Sequence, residues 1–450
     1  GPIQGRSVNP YLRRRSGREE VTYLHPLLEP ALRQTLGVPL FQEQLMRIAT
    51  DAAGLSGARA DQLRRAMGAK RSPERMEALK GDLMAGMEER GIDAPTRERI
   101  FEQLKGFADF GFPESHSFSF AHIVYASSWL KVHAPEHFYA AILASQPMGF
   151  YSPATLVQDA RRHGVRVAGP SVNDSLVDAS VQRVRDDEAG ESYNPGRPES
   201  LPSRGTVALD VDRELAVRIG LSQVRGLGAV AERIVEARHQ GAFTSQADLA
   251  RRAHVSASAM EKLAMAGALE CLGVGRREGA WAAGALAQPQ ARGGQWQPFL
   301  PGTEVGSRVP ELPSLSEVER MRSDVVSTGV TPGRHPFSYV RGSLPASVLR
   351  AGELGQHLAG RIVDIAGVVT HRQRPHTGGG ITFLSLEDET GFVNVSVSVG
   401  AWKKFRRVCL ESNALLVRGT LEWGDGAINV QAFQIAPVDL PIDVRSRDFR

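Results

Sequence analysis

Ile362-Val363-Asp364-Ile365, Thr382-Phe383-Leu384-Ser385-Leu386, Val393-Asn394-Val395-Ser396-Val397, Leu415-Leu416-Val417-Arg418-Gly419 and Ile428-Asn429-Val430 follow one another between about 358 and 440. Apolar and polar residues alternate through much of these runs, as in strands that bury one face. Gly-rich turns separate them, so five short strands closing into a small barrel are predicted. Trp402-Lys403-Lys404-Phe405-Arg406-Arg407 lies between the third and fourth runs. It reads as a helix whose Trp402 and Phe405 plug the barrel.

Outward from the barrel the pattern changes. A helix is predicted over about 314–328, preceded by a Pro-, Gly-, Gln- and Ala-rich linker at 283–316. Residues 221–272 read as two short helix pairs. Val181–Val184, Val207–Leu209 and Ala216–Ile219 read as short strands, around a polar loop at 186–204 expected to be disordered. Residues from about 27 to 165 carry helical spacing, as in Leu40–Ala49 and Ile123–Leu130, punctuated by Pro135 and Pro147. There is no fixed-period repeat.

The chain has 450 residues, 42% hydrophobic and 23% charged, which fits about three globular domains. No stretch of about 18 apolar residues exists, which excludes a transmembrane helix of the usual kind. The start, Gly1-Pro2-Ile3-Gln4-Gly5-Arg6, lacks an apolar signal region. It also lacks Met, so a start inside a longer polypeptide or after a processed tag is expected. Cys271 and Cys409 fit no metal spacing and read as two ordinary buried thiols in a reducing compartment. The net charge is +4, with an isoelectric point near 9.2 and recurrent Arg-Arg pairs. That balance permits nucleic-acid binding without requiring it.

Three further stretches can carry chemistry. In Asp61–Glu74 a helix should end near Met67, capped by Gly68, and Ser72 should cap the next, with Pro73 at its first position. Lys70 and Arg71 then sit at a helix N-terminus that favours an anion, and Arg64 and Arg65 can fork onto phosphate. An exposed cationic helix end, with Asp61 pairing Arg65, is the plainer alternative. In Phe107–Phe120, aromatics interleave with Gly, Ser and His. His116 can face a phosphate or simply be satisfied among the rings, and no nucleophile elbow surrounds either serine. In Ile219–Ile234, Arg225-Gly226-Leu227-Gly228 followed by Arg233 has the pattern of a helix-hairpin-helix. Its two glycines let backbone N–H groups point outward as a nest for phosphate. A tight turn that needs Gly only for geometry is the alternative. On the barrel, His371, Arg372, Arg374, Phe392 and Trp423 are candidates for a cationic groove with stacking aromatics, although such barrels also dock proteins.

Taken together, these residues resemble the alpha-subunit family of bacterial DNA polymerase III. The resemblance rests on Gly37–Met46, Asp61–Lys70, Phe110–Ser117 and Ser128–Pro135, and on the order of the regions. It covers most of the chain, excepting 186–204 and the linker. Gln146–Pro153 and Ser446–Arg450 point to the error-prone ImuC branch. The resemblance implies a multidomain α+β chain. Residues 1–169 would form a helical fingers domain and 170–282 a helix-hairpin-helix DNA-binding region with small strands. A linker with one helix would span 283–350, and a five-stranded OB-fold barrel 351–450.

It further implies template-directed DNA synthesis of the translesion type by the full-length enzyme, with the palm aspartates and their two Mg2+ ions upstream of this chain. The chain itself would hold no metal and no catalytic residue, and would be inactive alone. Arg64, Arg65, Lys70, Arg71 and His116 would contact the incoming dNTP, and Arg225, Gly226, Leu227, Gly228, Arg233, Arg372, Arg374 and Phe392 the DNA. The expected partners are primer–template and single-stranded DNA, an ImuB-type mutasome protein and an ImuA-type counterpart, in the cytoplasm. Gln295–Phe299 and Gln246–Leu249 are poor versions of a clamp motif, so sliding-clamp contact is expected to be indirect. A non-catalytic DNA-binding or docking platform of the mutasome is the alternative reading.

Overall fold

The computed structural model describes residues 8–66, 72–108, 112–149, 151–183, 208–286, 310–375, 379–424, 427–442 and 447–449. Contacts divide the chain into two compact units, Gly1–Ser127 and Ser128–Arg450.

The first unit is helical: α1 (Val8–Arg15), α2 (Glu29–Leu32), α3 (Gln42–Asp51), α4 (Gly57–Ala66), α5 (Ser72–Glu89) and α6 (Ala94–Ala108), followed by most of α7 (Glu114–His133). Leu32, Leu45, Leu63, Leu83, Met87, Ile100, Phe101 and Leu104 form its core. The Gly37–Met46 stretch is explained by one side chain. Gln44 is buried; its amide donates to Ala31 O (3.1 Å) and Thr35 Oγ1 (2.7 Å), while its carbonyl accepts from the amides of Leu40 and Phe41 (2.9 and 3.0 Å). Those are orphan donors at the start of α3, and a buried amide that satisfies them fixes how the chain enters the helix. Gly37 has φ +80°, and a Cβ there would lie 2.5 Å from Thr22 O, so only glycine fits.

The second unit opens with the end of α7, then α8 (Pro135–Ala144) and α9 (Pro153–Arg162) against a three-stranded sheet. Ser152 caps α9 by accepting from Thr155 N, with Pro153 at the first position. Strands β1 (Arg166–Ala168), β2 (Ser180–Arg183) and β3 (Leu215–Arg218) pair in the order β1-β3-β2. Tyr139, Leu143, Leu156 and Val157 bury against Val167, Val217 and Ile219. Residues 135–162 therefore pack in the second unit, whereas the sequence reading placed everything up to 169 with the fingers. Ala208 and Leu209 join no strand, and the loop at 186–204 lies outside the described residues.

Helices α10 (Val230–Arg238), α11 (Gln246–Ala253), α12 (Ala257–Met265) and α13 (Arg276–Leu286) form the hairpin region around Leu227, Ile234, Leu249, Met260 and Leu263. The expected linker is more integrated than its composition suggested. Its helix α14 (Glu317–Thr328) opens with a capping box, Ser316 with Glu319, and ends at Gly329 with φ +79°. Asp324 of α14 is buried and holds Arg276 at 2.6 Å and Thr331 Oγ1 at 3.0 Å.

The barrel follows: β4 (Val348–Leu349), β5 (Ile362–Gln373), β6 (Thr382–Glu387), β7 (Phe392–Val397), α15 (Val399–Glu411), β8 (Ala414–Gly424), β9 (Ala427–Pro437) and β10 (Arg447–Phe449). The path β5-β6-β7-β9-β8 closes through β8 back onto β5, which is the OB-fold arrangement. Trp402 is buried, and Phe405 packs part-buried against the same core, so both plug the barrel as predicted. Cys409 is buried too, and burial pushes its thiol up to about 11. Cys271, expected to be buried, is exposed.

Three consecutive acids at the β6–β7 turn are buried: Glu387, Asp388 and Glu389. Arg162 of α9 donates to Glu387 (2.8 Å), Arg341 to Asp388 (2.9 Å) and Glu389 (2.8 Å), and Arg350 to Glu389 (3.3 Å). Burial raises Glu387 to about 7 from its ordinary 4.5, against the opposing pull of Arg162. A carboxyl raised in the folded state stabilises fully below 4.5, and that contribution is lost as pH rises through 7. Burial also depresses His335, on the neighbouring loop, to about 3 from 6.5. Its contribution runs the other way, present above 6.5 and lost as pH falls toward 3. Glu387→Gln removes only the first effect. Measured by urea unfolding, the variant should gain stability relative to wild type between pH 5 and pH 7.5. A difference that stays flat over that window contradicts the assignment.

Candidate nucleic-acid interface

The hairpin is built from short-range geometry. Leu221–Gln223 form a 3-10 turn, and α10 starts at Val230. Between them Gly226 (φ +71°) and Gly228 (φ +54°) both take the left-handed region. The amides of Leu227, Val230 and Ala231 are spent on the turn, donating to Val224 O, Leu227 O and Gly228 O. Those of Gly226, Gly228 and Ala229 donate to no group among the described residues. Leu227 is buried and anchors the loop, while Gly226, Gly228 and Ala229 are exposed. Lys262 Nζ lies 3.1 Å from Gly226 O, which brings an ammonium to the turn. Outward N–H groups at a helix start, beside a cation, make an anion site. Sequence reasoning missed Lys262, because its closeness to Gly226 is set by the packing of α12 on the first hairpin.

Arg225 and Arg233 are exposed but not idle. Arg225 donates to Val326 O (3.0 Å) and its amide to Ser327 O (2.8 Å), while Gln223 donates to Thr328 O (2.9 Å). Arg233 donates to Ala253 O (3.2 Å) and His254 O (3.3 Å). Each guanidinium thus caps a helix C-terminus, where cations are favoured, and orients the hairpin as well as charging it. The second hairpin is closed off. A Cβ on Gly267 would sit 2.7 Å from Arg276 Nη2, the same side chain that binds Asp324.

On the barrel the structure departs from one expectation. Arg372 does not line a groove. It is buried and donates to Cys409 O (2.6 Å), Ser412 O (2.7 Å) and Asp448 (3.3 Å), tying the end of α15 to β10. Phe392 is half-buried, with the Arg162 guanidinium 5.1 Å from its ring on one face. Arg374 remains exposed, 5.9 Å from the Trp402 ring. Trp423 is half-buried on the core. His371 meets Thr370 at 3.0 Å and the edge of Tyr151 at 6.4 Å.

The exposed barrel aromatics are instead Phe383 on β6 and Phe433 on β9. Phe383 pairs with Ser396, and Ser396 with Gln431, across a face on which Asn394 pairs with Asn429. The signal for Phe383 was present in the alternation: Thr382, Leu384 and Leu386 point inward, so Phe383 points out.

Among the fingers residues, Arg64 and Arg65 both bind Asp61, at 3.0 and 2.7 Å. The Arg64 hydrogen bond leads in holding the Asp61 carboxyl below its ordinary range. Lys70 and Arg71 lie outside the described residues. His116 is exposed on the first turn of α7, between Phe112 (5.1 Å) and Phe120 (4.4 Å). Gln295–Phe299 also lies outside the described residues, and Gln246 and Leu249 are buried on α11. Among the described residues no group of three or more His, Cys, Asp or Glu is placed to hold a metal ion.

Family models match in the order the fold displays. The bacterial DNA polymerase III alpha subunit finger domain matches residues 1–91, a helix-hairpin-helix motif 164–279, and an OB-fold nucleic acid binding domain 363–438. The chain belongs to the bacterial DNA polymerase III alpha-subunit family. Among its curated relatives are error-prone DNA polymerases: that of Mycobacterium bovis is 49% identical over 454 residues, covering 100% of this chain and 38% of the relative. Those of Nocardia farcinica (48% over 462 residues, 37% of the relative) and Corynebacterium glutamicum (45% over 459 residues, 39% of the relative) also match the whole chain. This chain therefore spans less than half the length of these relatives. A solved asparaginyl-tRNA synthetase from Pyrococcus horikoshii overlaps 21% of this chain and 23% of its own at 19% identity, but its TM-score of 0.19 is too low to weigh. Among the described residues no helix is long and apolar enough to cross a membrane.

Proposed function

We infer that this chain is the fingers-to-barrel part of an error-prone DNA polymerase acting in translesion synthesis, and that it holds primer–template DNA for a catalytic centre elsewhere in the full-length protein. The observation that carries this is the hairpin at Gly226–Ala229: three exposed amides without an internal partner, beside Lys262. They grip a phosphate without reading sequence, as a polymerase that must advance along any template requires. The palm carboxylates and their Mg2+ ions belong to the longer polypeptide. Arg64, Arg65, Lys70, Arg71 and His116 face the triphosphate electrostatically, with Asp61 holding the first two until the nucleotide arrives. An ImuB-type protein is the expected mutasome partner.

Primer extension tests this reading. The full-length protein should extend a primer past a template lesion, and the 450-residue chain alone should not extend at all. Absence of extension by the full-length protein sinks it. A docking role for the barrel is the second reading, favoured by its β6-β7-β9 face, where Phe383, Asn394, Gln431 and Phe433 are exposed and the neighbouring charge of Glu422 on β8 is bonded to Asn429 at 2.6 Å. Phe383→Ala separates the two. If bases stack there, single-stranded DNA binding should weaken by about 1–3 kcal/mol per base, with duplex binding unchanged. Unchanged affinity for both assigns the face to protein.

A further inference from the structure

Helix α7 runs for 20 residues without one buried side chain. Phe118, Phe120, Ile123, Tyr125, Trp129 and Leu130 are each between 44% and 75% exposed. At about 100° per residue they fall on two roughly opposite sides of the axis, Phe118, Tyr125 and Trp129 on one and Phe120, Ile123 and Leu130 on the other. A helix apolar on both sides belongs inside a protein, and exposed apolar surface of this extent marks a contact. Four occupants can be compared. Nucleic acid does not fit, because the one Lys or Arg on the helix, Lys131, is bound to Asp159 at 3.0 Å. A bilayer does not fit, because the helix is not apolar enough to cross one. A second copy of this chain would cover one side and leave the other wet. The remaining occupant is polypeptide that wraps the helix, and most of the relatives' length lies beyond the part this chain matches.

We propose that α7 is a core helix of the full-length protein, enveloped by the part of the polypeptide absent from this chain. This rests on the chain being one part of a longer polymerase. The helix would then be the seat on which that part assembles.

Maleimide labelling of single cysteines tests it. In the full-length protein, with Cys271→Ser and other accessible thiols replaced, Ile123→Cys and Tyr125→Cys are compared with Leu410→Cys on the outer face of α15. The α7 sites should react about two orders of magnitude more slowly than Leu410→Cys, because labelling must await local opening. In the 450-residue chain all three should react at similar rates. Equal rates in the full-length protein overturn the proposal. Slow α7 labelling in the 450-residue chain, with a doubled mass by light scattering, overturns it in favour of a dimer. Primer extension run on the same preparations keeps the two readings apart, since protected α7 sites without extension would fault the polymerase assignment alone.

Discussion

Replacing Gly228 by valine should weaken duplex binding by about ten- to a hundredfold, with little change in stability outside the hairpin. Gly228 sits at φ +54° with open space around it, so a side chain meets no protein atom. Two penalties follow. A β-branched residue resists the left-handed region, which costs on the order of 1–2 kcal/mol and pulls the turn away from its native shape. The new Cβ also projects where a phosphate must approach the amides of Gly226, Gly228 and Ala229. Hydrogen bonds to a charged group contribute about 1.5–3 kcal/mol each, so losing one of them moves affinity tenfold or more. Titration of a labelled duplex checks this, beside urea unfolding followed at the barrel tryptophans. Unchanged affinity would mean that phosphate does not sit on the turn.

Arg341→Ala should destabilise the seat of the barrel by about 3–5 kcal/mol, the usual result of removing one partner from a buried ion pair. Its guanidinium bridges Asp388 and Glu389 and lies 5.0 Å from the Phe337 ring. Both acids are buried, and Asp388, already raised by burial and by the neighbouring Glu389 charge, would lose its nearest cation. Arg350 reaches Glu389 alone, so the loss cannot be fully compensated. Urea unfolding should show a lower midpoint, and the barrel should give an earlier separate transition. Arg407→Ala is the control, because the Arg407–Glu411 pair is on the surface and should leave the midpoint unmoved. Equal midpoints for both variants would show that the acid cluster is not what seats the barrel.

The barrel was legible because a period of two writes burial directly into the sequence, and the Trp402 and Phe405 plug followed from it. The hairpin was legible because two glycines one residue apart suit a left-handed turn and little else. What the residues did not disclose was long-range pairing. Nothing local to Glu387-Asp388-Glu389 shows that Arg162 and Arg341, distant in sequence, neutralise these acids. Arg372 looked like part of a cationic surface for the same reason: local composition does not tell a guanidinium that caps an internal helix from one that waits for phosphate. The linker misled through its Pro- and Gly-rich start, which hid Asp324 and its hold on Arg276. Lys262 lay in another helix pair and carried no local signal at all.

The central claim is that this chain holds DNA through the hairpin while its fingers cations are kept for the nucleotide. Fluorescence anisotropy with primer–template DNA across a salt series tests it most directly, comparing the unaltered chain with Gly228→Val and with Arg64→Ala/Arg65→Ala. Binding should fall steeply and linearly on a log–log plot of affinity against salt. It should be weakened strongly by the hairpin change and little by the fingers change. Absence of binding at low salt, or the opposite ranking of the two variants, would contradict it.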